Sequence, residues 1–143
     1  MIVLRSSVRE ERSLTFHTDA RSPKVEALRR SPLVTWVFYS PEWQVQVRVR
    51  ARAFLHLADS VTAAHWRKVP PAARSNYTSD LPPGASRPHP FAGEYLETTG
   101  ESHFAVVRTE AESVDWLWLR PGTHRRAGWH WNGVDWQGCW RTP

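Results

Sequence analysis

A short segment near the amino terminus combines residue types that can hold an anion. In the run Thr18-Asp19-Ala20-Arg21-Ser22-Pro23-Lys24, hydroxyl groups, two cations and the start of a predicted helix lie close together. Hydroxyls, cations and helix amino termini all bind phosphate in proteins. The same residue types are also typical of a capped surface helix with solvated charges. Taken alone, these residues favour the surface helix.

No other pattern for catalysis stands out in the sequence. The seven histidines lack metal-ligand spacing, and the seven glycines form no phosphate-binding loop, so side chains must hold any phosphate. The single cysteine, Cys139, excludes an internal disulfide and a multicysteine zinc site, and it agrees with a reducing compartment. We therefore expect no metal site, and redox chemistry would need a borrowed cofactor.

Length and composition indicate one ordinary domain over residues 1–143. Apolar residues at 41% and charged residues at 23% exclude a disordered chain. No run approaches the roughly 20 apolar residues of a membrane span, so the chain is predicted to be cytoplasmic with no membrane partner. The net charge of +5 attracts anions but does not distinguish a cofactor phosphate from nucleic acid.

The pattern of apolar residues predicts mainly strands with short helices (α+β), arranged as an antiparallel β-barrel. Alternation is clearest along residues 45–57, where Val49 and Ala51 share one face and Arg48 and Arg50 the other. The other predicted strands are 13–18, 33–39, 103–109, 114–119, and a hairpin of 127–131 and 134–140 around Asn132-Gly133. Helices are predicted at 23–30, with Ser22 as N-cap, and from residues 59–60 to about 68. Residues 69–100 are predicted to form a loop.

Four segments in order resemble the pyridoxamine 5'-phosphate oxidase family. Phe16-His17-Thr18-Asp19-Ala20-Arg21-Ser22-Pro23-Lys24 is similar to F-x-T-[ND]-x-x-S-x-K, and Gln46-Val47-Arg48-Val49-Arg50-Ala51 to Q-V-R-[IV]-x-G. Val114-Asp115-Trp116 and His124-Arg125-Arg126 lie where the family has a late tryptophan and an H-x-R segment. The resemblance implies an FMN-binding split β-barrel that forms a homodimer with FMN at the interface and acts on a small molecule.

The resemblance also assigns residues to the site. It implies that the FMN phosphate and ribityl chain are held by Arg5, Thr18, Ser22 and Lys24, with His17 and Arg21 in the same motif. It places the amide of Gln46 at the polar edge of the flavin ring, and Trp116 and Arg126 against FMN, commonly from the other subunit. His124 is assigned to the substrate. Alternatives stay open: Gln46 as a residue on a solvated strand face, and Trp116 as core packing.

The chain departs from the family pattern at several positions. Pro23 stands where many members have arginine, and Ala51 replaces a glycine. Gly122 stands where the biosynthetic oxidases have the arginine of R-x-H, so we expect pyridoxamine 5'-phosphate not to be the physiological substrate. Met1 begins within what resembles the second strand. We expect the preceding helix and strand to be encoded upstream; the alternative is that the gene has lost its first strand and the dimer covers the gap.

The leading hypothesis is an FMN-dependent oxidoreductase in which hydride passes from an unidentified small substrate to FMN, with no general base assigned. The alternative is a flavin-binding module, or a degenerate family member, without turnover. Nucleic-acid binding through Arg48, Arg50 and Arg52 is a third interpretation, but no recognisable nucleic-acid module accompanies them, and we expect no nucleic-acid partner.

Overall fold

The computed structural model describes residues 2–89 and 100–143, and its main component is antiparallel β-structure. The strands of the described part are β1 (Leu4–Val8), β2 (Ser13–Asp19), β3 (Leu33–Ser40), β4 (Val45–Leu57), β5 (Phe104–Trp118), β6 (Arg125–Trp131) and β7 (Trp136–Arg141). The helices are α1 (Pro23–Arg30), α2 (Ser60–Trp66) and α3 (Pro71–Arg74), and a 3₁₀ turn follows at Ser75–Tyr77. The mainly β prediction with short helices is confirmed.

The strands hydrogen-bond in the order β1-β2-β5-β4-β3, with β6 on β5 and β7 on β6. Contacts divide the chain into two compact units. The first holds the described residues of Met1–Ser7, Leu14–Pro32 and Phe54–Arg108. The second holds Val8–Ser13, Leu33–Ala53 and Thr109–Pro143. The long strands β4 and β5 each contribute residues to both units.

The first unit has an aromatic core. Trp66, Tyr77 and Phe104 contact one another with ring centroids 5.1–5.8 Å apart, and Val69 and Val106 complete the cluster. Helix α2 delivers Trp66 to this core. It begins after Asp59, as predicted, because Asp59 Oδ1 accepts from the Thr62 backbone N–H at 2.8 Å and Thr62 Oγ1 accepts from the Asp59 N–H. The helix ends at Trp66, two residues before the predicted end.

The alternation predicted for β4 is confirmed. Val49, Ala51 and Ala53 are buried, whereas Arg48 and Arg50 are exposed. Strand β3 pairs antiparallel with β4 from Leu33↔Arg52 to Ser40↔Val45. This pairing places an arginine-rich face on the outside of the second unit.

Two predictions about residues 69–119 need correction. The predicted loop contains α3 and the 3₁₀ turn, because Pro71 starts a helical turn and Arg74 Nε donates to the Val69 carbonyl at 3.2 Å; its residues 90–99 lie outside the described part. The two strands predicted at 103–109 and 114–119 are one strand, β5. Its polar middle stays extended because Ala111 is buried and its N–H donates to the Arg12 carbonyl at 2.9 Å.

The terminal hairpin is confirmed, with a different turn. Of Asn132 and Gly133, only Gly133 has a positive φ (107°), whereas the usual two-residue turn at Asn-Gly has a positive φ at both residues. The Asn132 side chain instead accepts from the backbone N–H groups of Val134 and Asp135, at 2.8 and 2.9 Å. This Asx turn lengthens the loop, so β7 begins at Trp136 and not at Val134.

Candidate functional site

Thr18, Ser22 and Lys24 come together where β2 ends and α1 begins. Lys24 Nζ donates to Ser22 Oγ at 2.7 Å and to Thr18 Oγ1 at 3.3 Å. Ser22 is the N-cap by position, as predicted, but its hydroxyl makes no capping hydrogen bond. Ser22 and Thr18 are 3% and 7% exposed. We call these three residues the phosphate cradle.

The chemistry of the cradle fits a phosphate group. An ammonium and two hydroxyls supply several donors within a few ångströms, and no carboxylate is hydrogen-bonded to Lys24 in the described residues. The Ser22 hydroxyl is not engaged in capping α1, so a phosphate oxygen can replace its contact with Lys24 without uncapping the helix. Charge-assisted hydrogen bonds of this kind are the stronger ones in proteins.

Arg21 has a different set of contacts. Its guanidinium donates to Asp19 Oδ1 at 3.1 Å and Oδ2 at 2.8 Å, and to the Asp80 carbonyl at 3.3 Å. The hydrogen bond that Arg21 donates to Asp19 raises the pKa of Arg21. The Asp19 carboxylate therefore balances the charge of Arg21, and binding of FMN by Arg21 remains a prediction.

His17 forms a pair with His65. His17 Nε2 lies 3.0 Å from His65 Nδ1, and the His17 ring contacts Phe104 edge-on with centroids 4.8 Å apart. Burial, then the charges of His65 and Arg5, lower the pKa of His17 to about 4. His17 is therefore neutral near pH 7 and brings a neutral ring to this end of β2. Arg5 lies in the exposed strand β1 and is close enough for its charge to act on His17.

Sequence reasoning did not select His65. It lies 48 residues from His17, in a helix predicted without any functional role. A lone histidine in an amphipathic helix carries no signal for a partner that far along the chain. The pairing follows from the packing of β2 and α2 within the first unit.

The second unit contains the remaining predicted residues. Gln46 is half-buried on β4, opposite Tyr39 of β3. Trp116 lines a cavity of about 430 Å³. The residues that line it together with Trp116 are Ala127, Trp129, Gly138, Cys139 and Trp140. We call it the tryptophan pocket. Trp140 is 74% exposed at its edge, so Trp116 faces an open apolar surface as well as protein neighbours.

Arg126 is held by an acidic neighbour on the next strand. Its Nη2 donates to Asp115 Oδ2 at 2.7 Å, and its Nε lies 3.1 Å from both carboxylate oxygens. The hydrogen bond that Arg126 donates to Asp115 raises the pKa of Arg126. Asp115 belongs to the Val114-Asp115-Trp116 segment, but the sequence does not predict its pairing with Arg126. Contact of Arg126 with FMN remains a prediction.

His124 lies exposed just before β6. Two residues earlier, Gly122 has φ +80°. Side chains other than glycine rarely adopt that conformation, so an arginine there would be strained. The turn itself accounts for glycine at a position where the resemblance would place arginine.

No helix in the described part of the chain is long and apolar enough to cross a membrane. Within residues 2–89 and 100–143, no group of three or more His, Cys, Asp or Glu side chains is arranged to hold a metal.

Comparison with known proteins adds independent findings. Residues 1–57 match the family model described as pyridoxamine 5'-phosphate oxidase, FMN-binding domain. The resemblance to that family is confirmed. The matched segment contains the phosphate cradle, Arg5, His17 and Gln46, whereas Trp116, His124 and Arg126 lie outside it. A search of curated protein sequences finds no match.

Two solved structures are similar over almost the whole chain. One is a pyridoxamine 5'-phosphate oxidase-related, FMN binding protein from Nostoc punctiforme PCC 73102, with TM-score 0.81 and 24% identity over 99% of this chain and 78% of its own. The other is PhzG from Burkholderia lata 383 in complex with tetrahydrophenazine-1-carboxylic acid, with TM-score 0.77 and 18% identity over 99% of this chain and 73% of its own. The predicted split β-barrel fold is confirmed.

Proposed function

We propose that this chain binds FMN through the phosphate cradle and uses it as an oxidoreductase. The observation that carries the proposal is the convergence of Lys24 Nζ on Ser22 Oγ and Thr18 Oγ1 within the segment that matches the FMN-binding family model. The solved relative from Nostoc punctiforme, an FMN binding protein by name, supports the choice of cofactor. FMN, when bound, accepts hydride from a small substrate and passes the electrons to an acceptor.

The protein's own residues bind and orient the cofactor in this proposal. Lys24 supplies the charge, and Ser22 and Thr18 donate hydroxyl protons to phosphate oxygens. His17, kept neutral by burial, and Arg5 border this end of β2. Gln46 offers both a donor and an acceptor to the flavin ring. Trp116, Arg126 and, toward the substrate, His124 complete the proposed site.

We also propose a homodimer with FMN at the interface. Trp140 and Trp129 leave indole surface exposed around the tryptophan pocket, and such rings are common at subunit interfaces. The free, exposed thiol of Cys139 fits a reducing compartment such as the cytoplasm. Sedimentation at micromolar concentration is expected to give a dimer that Trp140→Ser weakens. A monomeric wild type would refute this part.

Titration separates the phosphate contact from the rest of the flavin site. FMN and riboflavin differ by the phosphate alone, and binding of each quenches flavin fluorescence. Lys24→Ala is expected to raise the Kd for FMN roughly 10- to 150-fold, which corresponds to the 1.5–3 kcal/mol of a hydrogen bond to a charged group. The Kd for riboflavin should not change, because riboflavin carries no phosphate.

Lys68 is the matched control because it is the only other lysine of the sequence and is also exposed. Lys68→Ala should bind FMN like wild type, and Lys24→Arg should recover part of the lost affinity. Absence of saturable FMN binding by wild type would refute the proposed function. Equal losses for FMN and riboflavin in Lys24→Ala would refute the phosphate assignment alone.

Turnover is tested on the FMN-loaded protein. Reduced small molecules are offered under anaerobic conditions, and bleaching of the flavin absorbance reports electron transfer. Oxygen is then admitted to follow reoxidation. FMN binding without bleaching by any donor would favour the alternative of a flavin-binding module without turnover.

A further inference from the structure

A second cavity with polar walls lies in the second unit. Its volume is about 390 Å³, within the usual range of small-ligand pockets. Strands β4, β5, β6 and β7 all contribute to it, through Arg48, Arg50, Asp115, Trp129, His130 and Arg141 among others. We call it the anion pocket. None of these residues belongs to the phosphate cradle.

The charges in this pocket are unbalanced. The side chains of Arg48, Arg50 and Arg141 make no hydrogen bond or ion pair with any residue that the structure describes. The one acidic residue that lines the pocket, Asp115, is already bonded to Arg126. Three guanidinium groups therefore face a shared concave space without a counter-charge from the described chain. Like charges so placed repel one another, and an anion between them would remove that cost.

Arg52, the next arginine on this face of β4, differs from Arg48 and Arg50 because it has an acidic partner. Arg52 follows Arg48 and Arg50 on the same exposed face of β4, but its Nε donates to Glu112 Oε1 at 3.2 Å. It does not line the anion pocket. Arg50 lines a smaller cavity together with Glu112, but among the described residues it is Arg52 that forms the ion pair with this carboxylate.

A glycine makes room for one of the three guanidinium groups. A Cβ added at Gly128 would lie 2.4 Å from Arg141 Nε and 2.7 Å from Arg141 Cζ. Gly128 is buried on β6, and its backbone does not need glycine's conformational freedom. The absence of a side chain there lets the Arg141 guanidinium lie across β6 at the pocket.

We propose that the anion pocket binds a small molecule carrying at least two anionic groups, carboxylate or phosphate. Arg48, Arg50 and Arg141 bind the anionic oxygens from three sides, and the planar guanidinium matches both kinds of oxygen group. His130 adds a ring nitrogen. Binding of this ligand does not require FMN.

The shape of the site favours a small ligand over nucleic acid. Nucleic-acid surfaces follow a backbone along an extended basic stripe. Here the row of arginines on β4 is interrupted at Arg52 by its pairing with Glu112, and the unpaired arginines of β4 and β7 line one shared concavity. An extended polyanion would reach only part of that charge.

Calorimetric titration of the full chain with citrate and with pyrophosphate tests the proposal, at constant ionic strength set with sodium chloride. We expect saturable binding at one site per chain. Arg48→Gln and Arg141→Gln should each weaken it at least tenfold. Gly128→Ala, which keeps every charge but occupies the place of the Arg141 guanidinium, should weaken binding severalfold. Thermal unfolding checks that each variant is folded.

Two control variants locate the binding. Arg52→Gln removes a charge from the same strand face, and Lys68→Ala removes an exposed charge that belongs to neither the anion pocket nor the phosphate cradle; both should bind within twofold of wild type. Absence of saturable binding of either probe would overturn the proposal. Equal losses of affinity in Arg52→Gln and Arg48→Gln would also overturn it, as would a loss of affinity in Lys24→Ala alone. A single-stranded oligonucleotide that binds more tightly than citrate, and whose binding requires Arg48, Arg50 and Arg52, would overturn it as well. Citrate and pyrophosphate affinities together show whether carboxylate or phosphate is preferred.

Discussion

The His17–His65 pair is expected to make folding stability depend on pH. Acidification from pH 7 to pH 5 is the perturbation. The pKa of His17 is about 4 in the folded chain, against 6.5 for an ordinary histidine, mainly because the ring is buried. As the pH falls below 6.5, His17 becomes protonated in the unfolded chain but stays neutral in the folded chain. Stability must therefore fall with pH in this window and stop falling below about pH 4.

The size of the effect follows from the two pKa values. The difference between 6.5 and about 4 corresponds to at most about 3.4 kcal/mol. By proton linkage, about 2 kcal/mol of this stability is lost between pH 7 and pH 5. Because the ring is only half-buried, solvent screening reduces the expected loss to about 1–2 kcal/mol. The pKa of Asp59 is lowered from 3.8, so the effect of this carboxyl on stability lies outside the range from pH 7 to pH 5.

Urea unfolding at pH 7, 6 and 5 measures the loss in wild type and in His17→Gln. The variant keeps a polar side chain but cannot titrate, so its stability should decline less over the same range. The exposed His124 provides the control, and His124→Gln should decline like wild type. Equal pH dependence in wild type and His17→Gln would show that His17 is not held neutral in the folded chain.

Two further predictions concern packing. Gly138→Ala should lower the free energy of unfolding by about 1–3 kcal/mol, since its Cβ would lie 2.5 Å from the rigid indole of Trp129. Gly128→Ala should lower it by less than about 1 kcal/mol, because the new Cβ meets the flexible end of Arg141. Equal losses of the two variants in urea unfolding would contradict this difference. Phe104→Ala, at the centre of the aromatic core, should cost about 3–5 kcal/mol in the same assay, and a loss below about 1 kcal/mol would show that the core is not cooperative.

Sequence patterns predicted the elements whose signals are local. Ser22-Pro23 marks the start of α1, Asp59 caps α2, and strict alternation identifies β4. These signals act through backbone conformation and one buried face, which a single segment carries by itself. Strand β5 was divided in two because its middle residues are polar, and its continuity depends on hydrogen bonding to Arg12, far away in sequence.

Site contacts were predictable only within one segment. Thr18, Ser22 and Lys24 lie within a few residues, so their convergence could be anticipated. The pairing of His17 with His65 could not, because it depends on how a helix packs on a strand. The position of the Arg141 guanidinium over Gly128 likewise depends on the register of β6 and β7, which fixes which residues are opposite.

Net charge alone does not identify an anionic partner, but the pairing of charges does. Arg21, Arg52 and Arg126 have their charges balanced by Asp19, Glu112 and Asp115 respectively. Cations without such partners are found in the phosphate cradle and in the anion pocket. An unpaired cation on an open surface is solvated at little cost, but one in a confined space repels its neighbours. Among the cations without a counter-charge, those that share a concave space or converge with hydroxyl groups are therefore where an external anion gains most by binding, and the Lys24 and Arg48 variants measure that gain separately.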